Sequence, residues 1–293
     1  MRPHRLQGAP APPLVLVLAA VASVQFGGAL AATLVPAIGA AGSVTLRLVF
    51  ATAILWGIAR PTWRGHARSA LLTVLAFGGT LGLMNLAFYG SLARLPIGVA
   101  VTVEFLGPLT LATILARRLR HLVSVGAAAV GVVLIAKVPQ TPWGDLQWAG
   151  LGLAALAGAC WAGYILASGR AGREFQRLDG LAMAMAVALV LVLPFGIQSV
   201  PTWSAGAVAK GLGIAVLSSV LPYSLELVAL RRLSARAFGI LLSLEPAAAA
   251  LAGFLVLGQR LNASQLAGMG MVVLASALVM GADQRKDPAT SGG

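Results

Sequence analysis

Apolar runs long enough to cross a bilayer follow one another along almost the whole of this chain. A spanning helix needs about 20 predominantly apolar residues. Runs of that kind lie at about 14–35, 38–59, 69–91, 96–116, 121–138, 147–168, 179–199, 207–229, 237–257 and 263–282. Of the 293 residues, 59% are hydrophobic and 10% are charged, against roughly 25% charged in an ordinary soluble domain. Water cannot solvate a surface built from such a chain, which excludes a soluble globular fold and a disordered one. Alternating strand patterns of about ten residues are absent, which argues against a β-barrel. The expected fold is an all-α membrane protein of ten transmembrane helices.

The formal net charge of +13 does not indicate a nucleic-acid partner, because the basic residues sit in short clusters between the apolar runs. That spacing fixes orientation in a bilayer. With the amino terminus in the cytoplasm, the inside segments hold Arg2, Arg5, Arg60, Arg64, Arg68, Arg117, Arg118, Arg120, Arg170, Arg173, Arg177, Arg231, Arg232, Arg236, Arg285 and Lys286. The outside segments hold Arg94, Lys137, Lys210 and Arg260. Sixteen against four places both termini inside. A cleavable signal peptide ending near Ala29-Leu30-Ala31 is the competing reading of the amino terminus. Removing the first run would spoil both this charge balance and the repeat that follows.

The chain resembles itself. Leu92-Ala-Arg-Leu-Pro-Ile-Gly and the later Gly107-Pro108 fall on Leu230-Arg-Arg-Leu-Ser-Ala-Arg and Glu245-Pro246 at an offset of 138 residues. Gly131-Val-Val-Leu-Ile-Ala matches Gly270-Met-Val-Val-Leu-Ala at an offset of 139. Five helices therefore repeat, and because five is odd the copies cross the membrane in opposite directions. The expected organisation is a cytoplasmic segment 1–13, a first repeat 14–138, a second repeat 139–282 and a disordered cytoplasmic tail 283–293. A 5+5 inverted repeat is characteristic of secondary transporters, whose substrate site lies between the halves near the midplane.

Four charged residues stand inside apolar runs: Arg47, Glu104, Glu226 and Glu245. A charge at the bilayer centre costs at least about 2.5–3.5 kcal/mol on insertion scales, so such residues face a cavity, pair, or work. Prolines mark the same places. Pro108 cannot donate to the carbonyl of Glu104, Pro222 cannot donate to that of Ser218, and Pro246 directly follows Glu245. Broken helices at membrane depth are tolerated where they line a cavity. A polar central chamber follows, against the alternative of structural kinks held by Glu–Arg pairs. Asn85 and Tyr89 share a helix face at i, i+4, Tyr223 falls on Asn85 under the offset, and Trp161, Tyr164 and Gln25 add polar or aromatic groups at similar depth. For a zwitterionic substrate, Arg47 suits the carboxylate and Glu104 the ammonium group, with Asn85, Tyr89, Tyr164, Trp161, Gln25 and Tyr223 around them. Glu104, Glu245 and Glu226 are the candidate proton carriers.

Other chemistries have little support. The single cysteine, Cys160, permits neither an intramolecular disulfide nor a cysteine metal site, and the three histidines (His4, His66 and His121) lie in polar segments beside arginines. Enzyme fingerprints and a nucleotide-binding loop are missing, so no cofactor is expected and a gradient must drive any transport. The residues do not set an oligomeric state.

The chain resembles the EamA-type transporters of the drug/metabolite transporter superfamily, and most closely the threonine/homoserine exporters within it. The resemblance runs through Gly39-Ala-Ala-Gly-Ser-Val-Thr-Leu-Arg-Leu48, Met84-Asn-Leu-Ala-Phe-Tyr89 and Glu104-Phe-Leu-Gly-Pro-Leu109. It continues in Gly158-Ala-Cys-Trp-Ala-Gly-Tyr-Ile165, Leu221-Pro-Tyr-Ser-Leu-Glu226, Arg236-Ala-Phe-Gly239 and Ser243-Leu-Glu-Pro246. One departure is Gly258-Gln259, where the family usually has Gly-Glu. The resemblance implies a ten-helix inner-membrane exporter of small amino acids, exchanging substrate for protons. A broader metabolite or drug exporter of the same superfamily is the alternative within transport, and a non-transporting membrane scaffold or sensor the alternative outside it.

Overall fold

A computed structural model describes residues 12–116, 120–135, 146–176, 178–230 and 241–281. The amino-terminal segment to residue 11, the tail from residue 282 and the expected repeat boundary at 138–139 lie outside the described residues. No β-strand occurs among the described residues. A backbone in hydrocarbon must satisfy its own N–H and C=O groups, and these apolar sequences do so as helices.

The helices are α1 (Pro13–Ala59), α2 (Arg68–Leu92), α3 (Ile97–Glu104), α4 (Leu106–Ala116), α5 (Arg120–Ile135) and α6 (Trp148–Glu174). They continue as α7 (Asp179–Gly196) with a 3-10 extension Ile197–Thr202, α8 (Ala205–Ala215), α9 (Leu221–Leu230), α10 (Glu245–Leu257) and α11 (Ala263–Gly281). A π-helical turn, Val216–Val220, joins α8 to α9. Among the described residues, five helical stretches are long and apolar enough to cross a membrane: Pro13–Ala59, Arg68–Leu92, Trp148–Glu174, Asp179–Thr202 and Ala205–Leu225. Four shorter apolar helices accompany them.

The first two expected runs are not separated by a loop. They form α1, whose 47 residues would extend about 70 Å, over twice a hydrocarbon core of about 30 Å. Gly39 divides it, with φ 76 and ψ 165 inside an otherwise helical stretch. A side chain at that φ would clash with its own backbone, which is why glycine stands there. The Gly39 carbonyl accepts a hydrogen bond from Ser43 Oγ at 2.8 Å. The expected run 96–116 is also divided, at Phe105 between α3 and α4. In the other direction α6 runs on past the expected end at 168 to Glu174.

Large apolar side chains such as Leu72, Val190, Phe195, Phe254 and Leu274 are exposed, and alanines such as Ala20, Ala29, Ala100, Ala154 and Ala188 are buried among larger apolar side chains. Apolar residues on the outside suit lipid, and small ones within allow close helix packing. α2 packs against α6 and α7, and α1 against α7, α8, α9 and α10; α3 meets α6 and α10, and α5 lies along α11. At the α5–α11 crossing a Cβ on Gly131 would meet the carbonyl of Gly268, and one on Gly268 would meet the carbonyl of Gly131. Only paired glycines allow backbones that close.

Candidate functional site

Among the described residues one guanidinium is buried, and three elements converge on it. Arg47, on the second half of α1, is 5% exposed. Its Nε donates to Ser219 Oγ at 3.0 Å and its Nη2 to the carbonyl oxygen of Ser218 at 3.0 Å. Its Nη1 donates to Asn85 Oδ1. Asn85 is itself oriented by α2, since its Nδ2 donates to the Leu81 carbonyl at 2.7 Å. One turn later the ring of Tyr89 lies 5.9 Å from the Arg47 Cζ, within cation–π range. The Tyr89 hydroxyl is close enough to the guanidinium for an electrostatic interaction, but not in hydrogen-bonding geometry, and it has no partner among the described residues. A guanidinium carries five N–H donors, so two of Arg47's remain uncommitted.

The π-turn explains how the α8–α9 stretch receives Arg47. The Leu221 N–H donates to the Val216 carbonyl, five residues back, instead of to Leu217. The next position is Pro222, which has no N–H for the Ser218 carbonyl four residues earlier. Two carbonyls thus face α1, and α1 supplies two donors: Ser23 Oγ to Leu217 O at 2.7 Å, and Arg47 Nη2 to Ser218 O. The freed carbonyl of Ser218 was legible from Pro222. The role of Ser219 was not, because its partner lies 172 positions away.

Glu104 is the last residue of α3 and 8% exposed. It makes no hydrogen bond or ion pair among the described residues, yet it is near enough to Arg47 for the two charges to interact. Cys160, buried on α6, lies in the same electrostatic neighbourhood. Trp161 packs edge-on to Phe105, the residue after Glu104, at 5.8 Å between centroids. Tyr164 stacks between Phe77 (5.2 Å) and Tyr223 (6.5 Å), and Tyr223 is within electrostatic reach of Arg47. Six of the expected residues, namely Arg47, Asn85, Tyr89, Glu104, Tyr164 and Tyr223, therefore gather with Trp161 at their edge. Gln25 is buried on the first half of α1, and the hydrogen bonds around Arg47 do not extend to it. Glu245 is buried at the first turn of α10, ahead of Pro246. Glu226 lies on α9 with its side chain outside the described residues.

Gln259 Oε1 accepts the backbone N–H of Ile97 at 3.1 Å, so the departure from the family's usual Glu tethers the start of α3 to the end of α10. A cleft of about 510 Å³ between α2 and α6, lined by Ser69, Thr73, Arg170 and Glu174 among others, lies apart from Arg47. Among the described residues no group of His, Cys, Asp and Glu is arranged to hold a metal ion.

Comparison with known proteins agrees with this architecture. The threonine/homoserine exporter RhtA of Escherichia coli K12 is 40% identical over 266 residues, 90% of each chain. The protein of the same name from Salmonella typhimurium LT2 is 38% identical over the same share. A solved crystal structure, 20% identical, superposes with a TM-score of 0.61 over 93% of this chain and 99% of that one, which shows a shared fold. A model of the EamA-like transporter family matches residues 148–281. The chain belongs to the EamA-like transporter family and is a multi-pass membrane transporter, not an enzyme.

Proposed function

We propose that this protein exports small zwitterionic amino acids of the threonine and homoserine kind across the inner membrane, exchanging them for protons at a central site. One observation carries the reading. A buried guanidinium keeps two N–H donors free beside a buried carboxylate that has no hydrogen bond. An amino acid brings a carboxylate and an ammonium group, and each needs a partner of opposite sign where water is excluded. Arg47 receives the carboxylate and Glu104 the ammonium group. Asn85, Tyr89 and Tyr164 serve the polar side chain, Trp161, Tyr223 and Gln25 line the remainder, and Glu104, with Glu245 and Glu226, carries the proton. The names of the relatives support the substrate class.

The site lies between two inverted five-helix repeats, 14–138 and 139–282. Supporting this, α5 packs on α11, and the two are equivalent under the offset of about 138. The break at Phe105 and the turn at Ser243–Leu244 are also equivalent, each three residues ahead of a proline. Both termini are cytoplasmic, on the sixteen-to-four division of basic residues. A reporter fused after Gly293 that is active only in the periplasm overturns the orientation.

The deciding assay uses inside-out vesicles with an imposed proton gradient and a panel of labelled amino acids beside cationic dyes. Threonine and homoserine accumulate, and a protonophore abolishes accumulation. Dyes accumulating without any amino acid would replace this reading with that of a broader exporter.

A further inference from the structure

Pro222 has no donor to offer the Arg47 constellation, and yet the arrangement depends on it. In an uninterrupted helix the N–H of residue 222 would occupy the carbonyl of Ser218, four residues earlier. Proline has no N–H. Ser218 O instead accepts Arg47 Nη2 at 3.0 Å, while the neighbouring hydroxyl of Ser219 accepts Nε at the same distance. The two bonds hold one edge of the guanidinium against the π-turn, and Asn85 holds Nη1 from the side of α2. The contact is close because Gly27 is bare: a Cβ there would collide with Ser218 Oγ. Ser218, Ser219 and Arg47 are all more than nine-tenths buried, so no water competes for these groups.

We propose that Pro222 is a positioning residue of the substrate site. By withholding an N–H from Ser218 it keeps that carbonyl as a fixed acceptor for Arg47, so the guanidinium presents its remaining donors in one orientation. The inference rests on the reading that Arg47 receives the substrate's carboxylate. Orientation matters because the remaining N–H groups serve a carboxylate only when they point into the chamber, and a misplaced guanidinium loses directed bonds. π-Turns inside α-helices are frequent at functional sites. Here the turn and the proline together release two adjacent carbonyls, both of which receive donors from α1.

The test separates this role from a merely structural one, because the two make opposite demands on the same substitution. Pro222→Ala supplies the missing N–H and removes a residue unfavourable to helices, so as a structural change it leaves the protein as stable or more so. As a positioning residue its loss lets the backbone N–H compete with Arg47 for Ser218 O. The measurement is gradient-driven uptake of labelled threonine into inside-out vesicles, normalised to inserted protein, beside thermal unfolding of the purified protein. Pro222→Ala raises the apparent KM about tenfold, the scale of one hydrogen bond to a charged group. The maximal rate changes less, and the unfolding temperature does not fall. Ser219→Ala, which removes the Nε acceptor, shifts KM in the same direction.

Combining Pro222→Ala with Arg47→Lys is no worse than Arg47→Lys alone, since a residue acting through Arg47 has nothing left to position. An unchanged or lowered KM in Pro222→Ala overturns the proposal, as do additive effects in the double variant. If Arg47→Lys itself transports normally, the reading of Arg47 as a substrate ligand fails instead. Should Pro222→Ala insert poorly, its KM relative to Ser219→Ala still decides the matter, because KM does not depend on the amount inserted.

Discussion

Pro222 and Pro108 interrupt two apolar stretches of this bundle, and the sequence writes both interruptions the same way. In the α8–α9 stretch Pro222 frees the carbonyl of Ser218; between α3 and α4 Pro108 frees that of Glu104. The first carbonyl accepts a guanidinium from another helix. The second faces a glycine: a Cβ on Gly158 of α6 would land on the Glu104 carbonyl, and one on Gly107 would land on the carbonyl of Gly158. One break makes a receptor for charge. The other lets two backbones meet and leaves its carboxylate without a hydrogen bond. A freed carbonyl thus does not itself define a site; what a neighbouring helix brings to it does.

The contrast predicts different costs for removing the two charges. Arg47→Leu leaves Asn85 Oδ1, Ser219 Oγ and Ser218 O with unmatched acceptors in the interior. Transport is abolished, and thermal unfolding in detergent shows a loss of about 3 kcal/mol, the scale expected when a buried hydrogen-bonded charge network loses its centre. Glu104→Gln gives up no hydrogen bond. It therefore eliminates gradient-driven threonine uptake while stability moves by less than about 0.5 kcal/mol. A destabilisation in Glu104→Gln as large as that in Arg47→Leu would make Glu104 the structural partner of Arg47 and remove it from the transport cycle.

Which parts of this were legible in the sequence follows from the range of the forces involved. Helix existence is local: apolar run length fixes it, and the described helices fall on the expected runs. The absence of a loop between the first two runs was not legible. Pro36 and Gly39 both mark a helix break in the sequence, but neither says whether a loop or a kink follows, and the φ of 76 at Gly39 shows how the chain bends there. Of the site, the charged residues stood out because hydrocarbon penalises charge, and Asn85 and Tyr89 because they share a helix face. Ser219 was silent, since a serine in a membrane helix ordinarily bonds to its own backbone, as Thr102 does to Gly98. Its contact with Arg47 spans 172 positions, and no local pattern encodes a contact of that separation. Gln259 illustrates the same limit, because its bond to the Ile97 N–H depends on α3 and α10 lying side by side.

The smallest predicted effect is the sharpest check on the comparison. Pro108→Ala restores an N–H toward the Glu104 carbonyl, as Pro222→Ala does toward that of Ser218. No side chain donates to the Glu104 carbonyl among the described residues, so nothing near the guanidinium is displaced. Pro108 is also the third residue of α4, within the first turn, where a missing N–H costs a helix little. Replacing it gains little stability, and the apparent KM for threonine in the vesicle assay stays within about twofold of the parent. The two prolines are matched in chemistry, each removing the N–H four residues after a carbonyl, so the difference between their effects isolates what the freed carbonyl touches. If Pro108→Ala raises KM as far as Pro222→Ala, both prolines act through a shared property, the flexibility of an interrupted helix. The distinction between a break that receives Arg47 and a break that packs on Gly158 then has no functional content.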